Sequence, residues 1–148
     1  MNVIDEFLSE PLILEESVLG SFSRFYCYVN SNDDGSIPHF HVQDGNPKNR
    51  NNNQNSDRNH FHCCIQITKN NYFIHPGKNS IFNSKERKDL DKFLNSKITS
   101  IPKELKYTRY HPTTNWEALR DLWNVGNRNQ FVPLSVKKPD YTTINLER

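Results

Sequence analysis

The chain has 148 residues, a net charge of +2, 34% hydrophobic residues and 11% aromatic ones. That length suits one domain whose core draws heavily on Phe, Tyr and Trp. The near-neutral charge argues against a strong non-specific nucleic-acid or membrane binder and leaves room for a local patch. No run approaches the roughly 20 apolar residues that span a bilayer, and the acidic N-terminus lacks the apolar core of a signal peptide. The cysteines are Cys27, Cys63 and Cys64. An odd number with two adjacent is a poor disulfide framework, so reduced thiols and a cytoplasmic setting are expected.

Residues 1–20 carry five acidic side chains and no basic one. Leu8, Leu12, Leu14, Val18 and Leu19 predict an acidic helical arm, broken at Pro11. Residues 22–30 are rich in β-formers and predict a strand. Asn32-Asp33-Asp34-Gly35 is a turn signal, and 37–43 follows as the second strand of a hairpin. Residues 44–59 contain no aliphatic or aromatic side chain and predict a flexible Asn-rich loop. Residues 60–68 then alternate. Phe61, Cys63, Ile65 and Ile67 form an apolar face; His60, His62, Cys64, Gln66 and Thr68 form a polar one. A short strand over 72–75 ends at Pro76-Gly77.

Asn83 with Glu86, and Thr114 with Glu117, have capping-box spacing, which predicts helices over 84–96 and 114–125. The stretch 131–148, with Pro133 and Pro139, predicts an extended tail. The expected architecture is one α+β core domain over residues 21–130. A mostly antiparallel sheet of about four strands has its apolar face covered by both helices, through Phe61, Ile65, Ile67, Phe93, Leu119 and Trp123.

Two tripeptides carry the chemistry: His39-Phe40-His41 and His60-Phe61-His62. In a strand, residues i and i+2 share a face, so each tripeptide presents two imidazoles on one side. If the strands pair, His39, His41, His60 and His62 share a surface, with Cys64 on the same face as His60 and His62. Neutral imidazole is a common ligand of zinc and other divalent transition metals. The spacing is not that of a zinc finger, and no His-Glu-x-x-His occurs. The same imidazoles could serve as acid and base in hydrolysis, with Arg24, Tyr26, Tyr28 or Lys78 steadying an anion. No His–Asp/Asn relay for Cys63-Cys64 is evident from spacing. His75 and His111 precede prolines and read as turn residues, and Trp116 and Trp123 as core.

The stretch Phe25-Tyr26-Cys27-Tyr28 … Asp34-Gly35-Ser36-Ile37-Pro38-His39-Phe40-His41-Val42 resembles a family of small prokaryotic proteins of unknown function. Their signature is an aromatic strand, an acidic/Gly turn and Pro-His-x-His-Val. The 115–124 helix, with Trp123-Asn124, also resembles that family's C-terminal helix, and Pro139-Asp140-Tyr141-Thr142 resembles the tail of a longer variant. Pro38, His39 and His41 match the motif; the Asn-rich loop and the pair His60 and His62 depart from it. The resemblance implies a compact α+β protein of a phage or mobile element, paired with small partners as toxins and antitoxins are. No complete catalytic constellation is visible in the sequence, so the expected function is a protein-interaction module of such an element, in an anti-defence or toxin–antitoxin-like role. A metal- or histidine-dependent hydrolase or nuclease, and a metal-stabilised structural domain, are the alternatives. A protein partner is expected first. Nucleic acid could be met through the basic residues of 85–109, and a homodimer is compatible with the uneven charge.

Overall fold

Alternating apolar and polar residues build a six-stranded sheet in the computed structural model, which describes residues 16–31, 36–45 and 61–147. The strands are β1 (Glu16–Phe22), β2 (Phe25–Asn30), β3 (His39–Gln43), β4 (His62–Gln66), β5 (Asn71–Ile74) and β6 (Asn145–Leu146). They lie in sequence order. Neighbours are antiparallel through β5, and β6 runs parallel to β5. Phe25, Cys27 and Val29 of β2, Phe40 and Val42 of β3, and Cys63 and Ile65 of β4 are buried on one face with Phe61, Ile67 and Tyr72.

Two helices complete the core, α1 (Ser84–Asn95) and α2 (Asn115–Gly126). Both start where the capping pairs predict. The Asn83 side chain accepts from the Glu86 N–H while the Asn83 N–H donates to the Glu86 carboxylate, and Thr114 with Glu117 repeats the device. From α1, Leu90 and Leu94, four residues apart, enter the core; from α2, Trp116, Leu119 and Trp123 do. Phe93 packs partly buried against the same cluster.

The C-terminal end of α2 comes very close to the end of β2. A Cβ at Gly126 would stand 2.8 Å from Ser31 Oγ and 3.0 Å from Ser31 Cα, so only glycine admits this approach. Asn127 Nδ2 then donates to the Asn30 carbonyl at 3.0 Å, which pins the end of β2.

Residues 138–147 strap the core. Tyr141 Oη donates to the Gln66 carbonyl at 2.7 Å and lies 3.1 Å from the Ile67 carbonyl, which also accepts from Trp116 Nε1 at 3.2 Å. Asp91 accepts from Lys138 Nζ at 2.6 Å and from the Tyr141 N–H at 2.9 Å.

The α+β class and both helices agree with the sequence reading, but the sheet has six strands rather than about four. Residues 16–19, expected to end a helical arm, belong to β1, because pairing with β2 outweighs the helical spacing of the leucines. Residues 1–15, most of that arm, lie outside the described residues, as do 46–60 of the Asn-rich loop. The tail is not simply extended; it contains a 3-10 turn at Tyr141–Thr143 and the two-residue β6.

Tyr141→Phe removes a buried hydroxyl and its hydrogen bond to the Gln66 carbonyl, while Ile67 keeps Trp116 Nε1 as a donor. It should lower the unfolding free energy by about 1 kcal/mol, read from urea denaturation. An unchanged midpoint would mean that the strap does not bear on global stability.

Candidate functional site

The register of the central strands assembles the site. His41 stands opposite Tyr28 of β2 on one side and Cys64 of β4 on the other, and Gln43 stands opposite His62. The period of two brings Tyr28, Asn30, His39, His41, Gln43, His62 and Cys64 to one face of the sheet. His41 is at its centre and only 6% exposed. The Tyr28 ring stacks on it, with centroids 4.8 Å apart and planes 11° apart. His39 packs between His41 and the Trp123 indole, at 5.0 and 5.1 Å. His75 stacks on His62 at 4.1 Å, and Ser80 bridges the His62 backbone N–H and C=O. His75 thus adjoins the cluster rather than only turning the chain.

Proton counting fixes the roles of the ring nitrogens. Gln43 Nε2 donates to the Gly45 carbonyl at 2.6 Å, so Oε1 faces Tyr28, whose hydroxyl donates to it at 2.8 Å. A hydroxyl has one proton. At the 3.2 Å contact between Tyr28 Oη and His62 Nε2, a hydrogen bond then requires the proton to be on His62. That same N–H points at His41 Nδ1, 3.0 Å away. Nδ1 is then the lone-pair nitrogen of His41, and it also lies 3.6 Å from Cys64 Sγ. Nε2 carries the proton and faces the Asn30 amide, whose Nδ2 is 3.3 Å away. Turning that amide over presents Oδ1 as the acceptor. In the opposite pattern Asn30 Nδ2 donates to His41 Nε2 and His41 Nδ1–H donates to His62, but Tyr28 and His62 then meet lone pair to lone pair. The first pattern avoids that clash, with the His62 N–H shared between Tyr28 Oη and His41 Nδ1.

Burial keeps these rings uncharged. It pushes His41 down to about 2, helped by repulsion from His39, His62 and His75. It pushes His62 down to about 4, helped by His75 and Lys78. Neutral imidazoles offer lone pairs at neutral pH.

His39, His41 and Cys64 lie close enough to hold a metal ion, with ligand atoms all within 4.8 Å of one another. With Zn–N near 2.05 Å and Zn–S near 2.3 Å, tetrahedral angles give an N–S edge of about 3.6 Å and an N–N edge of about 3.3 Å. The His41 Nδ1–Cys64 Sγ distance is 3.6 Å and the His41 Nδ1–His62 Nε2 distance 3.0 Å. His39 Nδ1 donates to the Ile37 carbonyl at 2.8 Å, which leaves Nε2 as its ligand nitrogen and fixes the ring. The residues therefore fit a borderline metal of zinc type.

Of the four expected histidines, the structure gathers His39, His41 and His62, and His60 lies outside the described residues. Asn30 and Gln43 escaped the sequence reading, although the hairpin's period of two would have put both on the histidine face. Cys27 and Cys63 face the core, and burial pushes both thiols up, so they stay protonated. Arg24 does not serve the cluster. It lies 3.5 Å from Asp44, 3.6 Å from Glu86 and over the Phe25 ring. Among the described residues no helix is long and apolar enough to cross a membrane.

Both folded-state values lie below that of an unfolded histidine, near 6.5. As pH falls, the unfolded chain takes up protons first, so these rings destabilise the fold progressively below about pH 6.5, His62 down to about pH 4 and His41 down to about pH 2, and not above. Urea unfolding of chelator-treated protein should show stability falling across that window, less steeply in His62→Gln. A His41 ring resonance that titrates near 6.5 would refute the assignment.

No protein-family model, curated protein or solved structure matches this chain, so the site is read from its own geometry.

Proposed function

We propose that the protein is a metal-binding α+β domain that holds one transition-metal ion, zinc in the first instance, on His39, His41 and Cys64. The observation that carries this reading is the arrangement around His41 Nδ1, where sulfur and nitrogen donors stand at or near tetrahedral edge lengths. A set of two imidazoles and a thiol suits zinc, cobalt or copper and not calcium or magnesium, which want oxygen. His62 is the fourth donor. Its Nε2 lies 3.0 Å from His41 Nδ1 and needs only to pass its proton to Nδ1 of its own ring. Such a site joins β3 to β4 and, through the His39–Trp123 contact, to α2. The ion then contributes folding free energy.

Hydrolysis is the second reading, favoured by one observation: His62 is half-buried and beside the three ligands. If water takes the fourth position, His62 is its base. Partner capture through the acidic arm draws nothing from the described residues, since residues 1–15 lie outside them.

Elemental analysis of protein purified without chelator should find about one equivalent of zinc or a related metal. The cobalt-substituted protein should show a thiolate-to-cobalt charge-transfer band that Cys64→Ser abolishes. At a thousandfold excess over Kd, the ion adds about 4 kcal/mol of stability, so chelation should lower Tm by several degrees. Protein that carries no metal and takes up none on titration would overturn the reading.

A further inference from the structure

The histidine face contains a second arrangement that spacing in the sequence conceals. Cys64 Sγ lies 3.6 Å from His41 Nδ1, and His41 Nε2 lies 3.3 Å from the Asn30 amide. Thiol, imidazole and amide follow one another through the two nitrogens of one ring, which is the order in which a nucleophile, its base and an orienting group act. We propose that in the metal-free protein Cys64 is a nucleophilic thiol, with His41 as its base and Asn30 as the positioning residue, and that it accepts acyl groups from small activated esters and thioesters.

Three observations beyond those distances support it. The His41 ring cannot swing away, because Tyr28 is stacked on it and His39 closes on its edge. The backbone of Asn30 is held by Asn127 and by the close approach at Gly126. Cys64 is also the partly exposed thiol of the three, whereas Cys27 and Cys63 are fully buried on the opposite face. In the proton pattern above, the lone pair of His41 Nδ1 faces both the His62 N–H at 3.0 Å and the thiol at 3.6 Å, and Tyr28 Oη, 3.2 Å from the same His62 nitrogen, is the other acceptor to which that N–H turns when Nδ1 takes the thiol proton.

The step balances within the site and the ester. The Cys64 proton passes to His41 Nδ1 as sulfur attacks the acyl carbon. A C–S bond forms and the carbonyl electron pair moves to oxygen. When that pair returns, the bond to the leaving alcohol or thiol breaks, and the leaving group takes the proton from His41. The products are a thioester on Cys64 and the free alcohol or thiol. Metal and acyl chemistry exclude each other, because both use Cys64 Sγ and His41 Nδ1.

The test uses the full chain, freed of metal by chelator, with p-nitrophenyl acetate as probe. One acetyl group should appear on Cys64 by peptide mass mapping, with a matching burst of nitrophenolate, at least roughly tenfold faster than glutathione reacts. Cys64→Ser should remove the burst without changing the circular dichroism. Asn30→Ala should slow acetylation, and Asn30→Asp, which restores an acceptor for His41 Nε2–H, should recover it; loss of a merely structural amide would not be rescued this way. Acetylation no faster than that of glutathione would overturn the proposal even if every variant folds, and so would identical behaviour of the two Asn30 variants. One equivalent of zinc should block the reaction. Acetylation that zinc leaves unaffected would uphold the thiol and count against the metal reading, whereas metal binding with an inert apo-thiol would do the reverse.

Discussion

The pairing of β3 with β4 in the register that sets His41 opposite Cys64 is the constraint on which the rest depends. A strand slipped by one residue turns every side chain to the other face. Here such a slip would drive His39 and His41 into the core and bring Phe40 and Val42 out. The apolar face forbids it, because Phe40, Val42, Cys63 and Ile65 are all fully buried. The hydrophobic core therefore fixes the chemistry of the opposite face through the register. The elements that seem remote from the site serve this register. Tyr141 and Trp116 bond the carbonyls at the end of β4, and Ser80 bonds the backbone at its start.

Burying imidazoles is costly unless their polar atoms are satisfied and they stay uncharged. The face meets both conditions with neutral residues, since Gln43, Tyr28 and Asn30 carry the hydrogen bonds and no carboxylate is among them. A carboxylate in the place of Asn30 would accept the same Nε2–H and make the imidazole a stronger base, at the cost of a buried charge. The neutral amide orients the ring without that charge and keeps the lone pair on Nδ1.

Much of the fold was legible because local signals agreed with tertiary packing. The strands around Cys27, Phe40 and Ile65 alternate cleanly, and Asn83–Glu86 and Thr114–Glu117 announce the helices at the observed positions. Residues 16–19 misled because Val18 and Leu19 continue the helical spacing of the preceding leucines, and only pairing with β2 decides otherwise. A two-residue strand such as Asn145–Leu146 leaves no periodicity to read. At the site, the pairing of imidazoles within one tripeptide was visible, since i and i+2 share a strand face. The alignment of Cys64 with His41 and Asn30 was not, because it depends on the register of three strands across a loop.

That alignment also explains why residue types at this site do not by themselves name a reaction. One ring, His41, is hydrogen-bonded on one side and open to sulfur and nitrogen on the other. A thiol opposite a neutral imidazole is equally the start of a metal site and of a nucleophile pair, since both need the same lone pair and the same tautomer. What separates them is occupancy. A metal bound there would consume the two reactive atoms together and add the stability of a cross-link between β3 and β4. In its absence the core and Asn30 would hold the same atoms in position for an electrophile. Asn30 would serve both states, because its amide meets Nε2 and so orients the ring whichever atom Nδ1 faces.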